Sequence, residues 1–362
     1  MSENSASRPS SRGGHALTYD SADQKVILFG GFAGPWTARS YFDDTWAYDY
    51  TNNSWINLAP TSKPSPRYNP AMTYDSLNQK LVLFGGYGFN GYLSDTWLYD
   101  YSTNQWTQVF PTTSPGIRHS HAMVYDSANQ KIVLFGGHNQ HTILNDTWVY
   151  DFSSNNWTEI FPETSPSVRY GHTMVYNPSN QKVILFGGHS DVSYREINND
   201  LWMYDYNSNS WTEFSTATKP AVRYWHAMVY DENDEKMVLF GGWTFYSNST
   251  EIIYDDHWTY DYALNQWTQN SLVLHPSARY LHSMVYDSVN QKVVLFGGYN
   301  GTEPLGDTWV YDVSDNMWSS MDFLTVSADF INPEFLLLFL GALGMVRWYK
   351  QNIRSRKKQK IK

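Results

Sequence analysis

The chain has 362 residues, a formal net charge of −10, no cysteine, and 17% each of aromatic and charged side chains. Disulfides, zinc–thiolate sites and cysteine nucleophiles are therefore excluded, and the aromatic content suits an all-β protein rather than a disordered or coiled-coil chain. Residues 1–346 carry 17 basic against 35 acidic side chains, so this body should repel phosphates and is not expected to bind nucleic acid.

Residues 1–11 form a polar N-terminal segment without the apolar stretch of a secretory signal peptide. From Arg12 to about residue 320 one pattern recurs six times. Glycine pairs fall at Gly30–Gly31, Gly85–Gly86, Gly136–Gly137, Gly187–Gly188, Gly241–Gly242 and Gly297–Gly298. Each pair is followed by a variable loop and an Asp-x-Trp ending at Trp46, Trp97, Trp148, Trp202, Trp258 or Trp309. A second Trp comes nine residues later every time, at Trp55, Trp106, Trp157, Trp211, Trp267 and Trp318.

Each repeat predicts four strands, here called A to D. In the third, "HAMVYD" alternates apolar and polar residues, whereas "KIVLFGG" is a continuous apolar run, as expected of a strand buried on both faces. "DTWVYDF" and "NWTEIF" follow, separated by Asn- and Ser-rich turns. Four short antiparallel strands per unit, repeated in tandem, predict an all-β, six-bladed propeller of four-stranded blades. A single blade cannot bury its own faces, so the core must lie between repeats.

The double Gly after an apolar strand, the Tyr-Asp and the closing Trp resemble kelch repeats over roughly residues 12–320. That resemblance implies a kelch-like β-propeller. The manner of ring closure stays open at this level.

Antiparallel order puts the A–B and C–D turns on one face and the B–C loops and D–A connections on the other. The A–B turns are near copies of one another, while the B–C loops all differ. Binding residues commonly sit on variable loops held by a rigid frame. The candidates are Trp36, Tyr41, Tyr87, Phe89, Tyr92, His138, His141, His189, Trp243, Phe245 and Tyr246, aromatics suited to recognising a protein or a carbohydrate.

The same face holds an R-x-x-H pattern at the start of each A strand. It reads Arg12/His15, Arg118/His121, Arg169/His172, Arg223/His226 and Arg279/His282, and the second repeat departs from it with Arg67 followed by Pro70. These residues could ring a channel mouth as an anion collar or metal site, or tie carbonyls and Asp residues together where blades meet. Recurrence in nearly every repeat favours the structural role, and the histidines lack any short metal-ligand spacing. Some kelch-type propellers are copper oxidases with a Tyr–Cys cross-link, chemistry that a chain without Cys lacks. Others are sugar-processing, mutarotase-like enzymes, which is the catalytic alternative here. No catalytic residue, metal or cofactor is assigned.

Residues 321–334 read as a linker and 350–362 as a basic cytoplasmic tail. Between them, residues 335–349 predict a short hydrophobic helix; Phe335 to Val346 is uncharged, and Arg347 would snorkel. This reads as a membrane anchor with its basic end inside, against the alternative of a helix plugging one face of the propeller. Pro333-Glu334-Phe335 ahead of it resembles the Pro-Glu-Phe class of C-terminal sorting signals on archaeal surface proteins, which implies a sortase-type processing partner. Sequons at Asn52, Asn145, Asn156, Asn248 and Asn300 also suit surface display. The expectation is a membrane-tethered module with its propeller outside the cell, exported by an upstream signal; a cytoplasmic-side scaffold is the alternative.

Overall fold

Why does the B strand of each repeat tolerate no polar residue along its middle? In the computed structural model, which describes residues 8–35, 38–191, 196–245 and 250–322, the answer lies in the two neighbouring repeats. Val26 and Leu28 point to one side, where they join Val285, Val294 and Phe296 of the sixth repeat. Ile27 and Phe29 point to the other side, among Met72, Tyr74, Leu81 and Leu83 of the second. The period-2 geometry of a strand makes both sets core at once. All four B-strand residues are at most 1% exposed, and each such side chain contributes roughly 1.5–3 kcal/mol by burial.

The described residues contain six four-stranded antiparallel sheets, each a meander in the order A-B-C-D. In the first repeat these strands are Ala16–Asp20, Lys25–Phe29, Thr45–Asp49 and Ser54–Asn57. In the sixth they are Ser283–Asp287, Lys292–Tyr299, Pro304–Asp312 and Met317–Ser320. The A strands of successive repeats lie side by side, and the sixth lies beside the first. They surround a central cavity lined by residues of all six. The compact unit that holds these sheets ends at Met321.

The circle closes without exchange of a strand, since the first and last sheets are each built from one continuous stretch of chain. Side chains and single backbone bonds do the closing. The nine-residue Trp spacing finds its reason here, because the second Trp of each repeat packs on the B-strand Phe of the repeat before. The pairs are Phe29–Trp106, Phe84–Trp157, Phe135–Trp211, Phe186–Trp267, Phe240–Trp318 and, across the closure, Phe296–Trp55, with ring centroids 5.0–5.4 Å apart. Four of these indoles also donate to a Thr of the preceding Asp-x-Trp, Trp55 reaching Thr308 and Trp106 reaching Thr45 at 3.0 Å. In the other two joints Leu201 and His257 occupy the Thr position, and the indole nitrogens of Trp267 and Trp318 have no such acceptor.

Among the described residues no helix is long and apolar enough to cross a membrane. The expected helix at 335–349, the basic tail and Pro333, Glu334 and Phe335 lie outside the described residues.

Candidate binding site

The R-x-x-H residues are best understood from the glycine pair upward. Gly136 sits at φ +63° and Gly137 at +102°, and a β-bulge at this point shifts the register between strands B and C. A Cβ on Gly136 would stand 2.7 Å from the backbone carbonyl of Arg169, and one on Gly137 would stand 2.8 Å from the His121 Cβ. With no side chain in the way, the Gly137 N–H donates to the Arg169 carbonyl at 2.8 Å. The same bond recurs at every joint and closes the circle from Gly298 to Arg12 at 2.9 Å.

The arginine side chain turns back into its own repeat. Arg118 donates to the Gly136 carbonyl at 3.0 Å and forks onto both oxygens of Asp146 at 2.7 Å. Asp146 in turn accepts from the Trp148 indole at 2.7 Å, which is why the motif reads Asp-x-Trp. Arg12, Arg67, Arg169, Arg223 and Arg279 make the equivalent ion pairs with Asp44, Asp95, Asp200, Asp256 and Asp307. Every one of the six arginines is at most 2% exposed. They lie inside the repeats, bonded to Asp and Gly, and are not among the residues that line the central cavity.

The histidines do face the central cavity. Each packs edge-on against the B-strand Phe of the preceding repeat: His15 on Phe296, His121 on Phe84, His172 on Phe135, His226 on Phe186 and His282 on Phe240. Burial first, and the adjoining arginine second, lower His15 and His172 to a pKa of about 3 and hold His121, His226 and His282 well below 6.5. Among the described residues no group of three or more His, Asp or Glu is placed to hold a metal ion.

Depressed imidazoles carry a pH signature. The unfolded chain takes up protons below about pH 6.5, whereas the folded one does not until about pH 3, so stability is complete above pH 6.5 and is lost as pH falls through that window. The slope is up to about 1.4 kcal/mol per pH unit for each such His. The urea midpoint is therefore expected to fall steadily from pH 6.5 to 4.5, above the range of the carboxylates. A midpoint unchanged over that interval would mean that the imidazoles titrate normally.

Between Arg and His lies a second feature. Gly14, Asn69, Ser120, Gly171, Trp225 and Leu281 all have φ between +47° and +64°. Their backbones bond head to tail, each N–H donating to the preceding carbonyl at 2.7–3.0 Å, from Gly14 through to Leu281 and back. For Trp225 and Leu281 that left-handed backbone is a strained conformation, tolerated because the hydrogen-bonded circle requires it.

The residue immediately after each Arg bridges the residue immediately after each glycine pair. These bridges are Gly13–Phe32, Tyr68–Tyr87, His119–His138, Tyr170–His189, Tyr224–Trp243 and Tyr280–Tyr299. Eleven of the twelve positions carry rings, and the rings form an unbroken belt on the face of the B–C loops. Phe32 touches Tyr68 at 5.3 Å, and Tyr68, Tyr87, His119 and His138 follow in contact. His138, Tyr170, His189, Tyr224, Trp243 and Tyr280 continue at 5.1–5.6 Å, and Tyr299 returns to Phe32 at 6.2 Å. Trp225 lies nearly parallel to Trp243 and Tyr280, at 11° and 18°.

Of the loop candidates, Tyr87, His138, His189 and Trp243 thus belong to this belt, and these four, like Tyr41 and Tyr92, sit in strands rather than loops; within the belt Phe32, Tyr68, His119, His189, Tyr224, Tyr280 and Tyr299 are buried. Tyr41 packs on Tyr68 and Phe89, Tyr92 packs on Tyr87, and Phe89 is 69% exposed. His141 is exposed at a loop tip, Phe245 is half-buried at a strand end, and Trp36 and Tyr246 lie outside the described residues. The sequence reading missed Phe32, Tyr68, His119, Tyr170, Tyr224, Tyr280 and Tyr299. A ring directly after five of the six arginines was the available signal.

Interlocking four-stranded sheets, glycine-pair joints and a belt of rings on the variable face define a β-propeller of the kelch class. The sequence profile of the KLHDC2/KLHL20/DRC7 Kelch-repeats domain matches residues 2–177, 110–286 and 161–325, and the chain belongs to this kelch-repeat family. It is also similar to Mei4-dependent protein 6 of Schizosaccharomyces pombe (strain 972 / ATCC 24843), at 23% identity over 347 residues, covering 84% of this chain and 48% of that protein. The chain spans about half the length of this curated relative.

Proposed function

We propose that this chain is a six-bladed kelch propeller that acts as a binding scaffold, presenting the variable loops above its aromatic belt, and the rings they expose, to a partner protein, without chemistry of its own. The observation that carries this reading is where the repeats differ. The residues of the joints are near copies, as a frame requires, whereas the loop face varies between repeats and carries exposed rings such as Phe89 above a belt that is itself largely buried. Preformed aromatic surfaces of this kind serve as binding hot spots because rings offer much contact area at little entropic cost. The kelch-repeat membership supports a scaffold role. The hydrophobic stretch at 335–349 fits tethering of that scaffold to a membrane, with the propeller outside the cell.

Phe89 on the belt side and Leu77 in an A–B turn on the opposite side are both exposed apolar residues, at 69% and 58%. A photo-crosslinking residue at position 89, in the full chain in its own host, is expected to capture a discrete protein, and one at position 77 is not. Capture at 77 with silence at 89 would place the working surface on the wrong face.

A further inference from the structure

At the A–B turn end of the six A strands, on the face opposite the B–C loops, lies a vestibule of about 460 Å³. Every A strand contributes a tyrosine to its lining: Tyr19, Tyr74, Tyr125, Tyr176, Tyr230 and Tyr286. The lining and all six A–B turns around it belong to the described residues. The position two residues after each tyrosine also lines it, and here the repeats part. Ser21, Ser76, Ser127 and Ser288 bring small hydroxyls and Pro178 none, whereas the fifth repeat places Glu232 there. Glu232 is the only charged residue of the lining. Among the described residues no Lys, Arg or His forms an ion pair with it. The lysines that open five of the B strands pair instead with Asp49, Asp100, Asp151, Asp205 and Asp312. Lys236, which opens the other, lies opposite Asp261 on the neighbouring strand, and none of the six lines the vestibule. Burial first, and then nearby carboxylates that include Glu232, raise the Tyr230 and Tyr286 hydroxyls, so the acid stands close to both.

A single carboxylate set among tyrosines in a cavity of this size selects a small organic cation. Aromatic rings attract positive charge through their quadrupoles, and the acid fixes where that charge sits. The acidic body draws cations toward it. A primary ammonium is strongly hydrated and gives up its water only to several acceptors, whereas the methionines and valines of the lining offer apolar surface to N-alkyl groups. From this we infer that the vestibule binds a small alkylated ammonium ion, with Glu232 as the residue that holds its charge. The site lies on the side away from the loop face and does not depend on the partner proposed there.

The test titrates the full chain calorimetrically with choline, its uncharged isostere 3,3-dimethylbutan-1-ol, and butylammonium. Choline is expected to bind about tenfold more tightly than the isostere, the worth of a cation–π contact together with one ion pair. Glu232→Gln is expected to erase that preference. Glu235→Gln is expected to keep it, because the Glu235 carboxylate accepts from the Ser179 hydroxyl at 3.2 Å and does not line the vestibule. Both positions lie in an exposed turn, and unfolding curves confirm that both variants fold. Equal affinity for choline and the isostere, heat from neither, a preference that survives Glu232→Gln or is lost in Glu235→Gln, or tighter binding of butylammonium than of choline overturns the inference.

Discussion

Replacing Arg169 by Met is expected to destabilise the propeller by about 3–5 kcal/mol, the range for breaking a buried ion pair from one side. The Arg169 side chain donates to the Gly187 carbonyl at 2.9 Å, to Asp200 at 2.7 and 2.8 Å, and to Ser167 through both its carbonyl and its hydroxyl. Met withdraws the arginine's donors from all of these acceptors, and Asp200 keeps the Trp202 indole at 2.6 Å. Burial by itself would raise the Asp200 carboxyl; the Arg169 hydrogen bonds and charge outweigh it and hold that pKa below its ordinary value. Removing the arginine reverses the balance and leaves a carboxylate that must be neutralised or exposed. The Arg169→Lys change should preserve little of this stability, because one ammonium cannot span the fork that a guanidinium makes across a carboxylate and a carbonyl. Asp200→Asn added to Arg169→Met should recover part of the loss, since the uncompensated charge is then gone. Urea unfolding monitored by Trp fluorescence reads all three variants. An Arg169→Lys protein as stable as the parent would show that charge rather than the bidentate geometry matters.

Trp157→Ala is expected to cost a comparable 3–5 kcal/mol by a different route, the cavity left by a buried indole. Trp157 is fully buried, packs on Phe84 of the preceding repeat at 5.2 Å and on Tyr150 at 5.1 Å, and donates to Thr96 at 3.1 Å. The milder Trp157→Phe separates the terms, because it keeps a ring and loses the Thr96 bond. The same change at Trp267 meets Leu201 where other joints have Thr, so no bond to that position is lost. Trp267→Phe should therefore be cheaper than Trp157→Phe by about 1 kcal/mol, one net hydrogen bond. Equal losses for the two would mean that the Trp–Thr bond adds nothing to the joint.

These two side chains also mark what could be read without coordinates. The gap of nine residues between tryptophans and the apolar B strand each encode a distance within a local unit, and local units repeat faithfully. Four strands, their order and the need for cores between repeats followed from that periodicity. The arginines were harder. Their recurrence was visible, but their partners lie 28 to 33 residues away in sequence, in Asp44, Asp95 and their counterparts. Nothing local says whether such an arginine points into the channel or back into its own repeat.

The belt of rings was harder still. Tyr68 and Tyr87 are 19 residues apart and meet only because the glycine pair kinks strand B toward the start of strand A. Each ring alone looks like an ordinary aromatic of a β protein.

What the amino-acid sequence determined by itself is the repeating unit: its strands, its turns and the residues that must be buried, because these depend on period and side-chain type over short stretches. What only the tertiary structure decided is the closure of the circle by single bonds and ring contacts, the inward turn of six arginines, and the joining of eleven separate rings into one largely buried belt. Those depend on which residues of different repeats come within a few ångströms, and chain order alone carries no such distance.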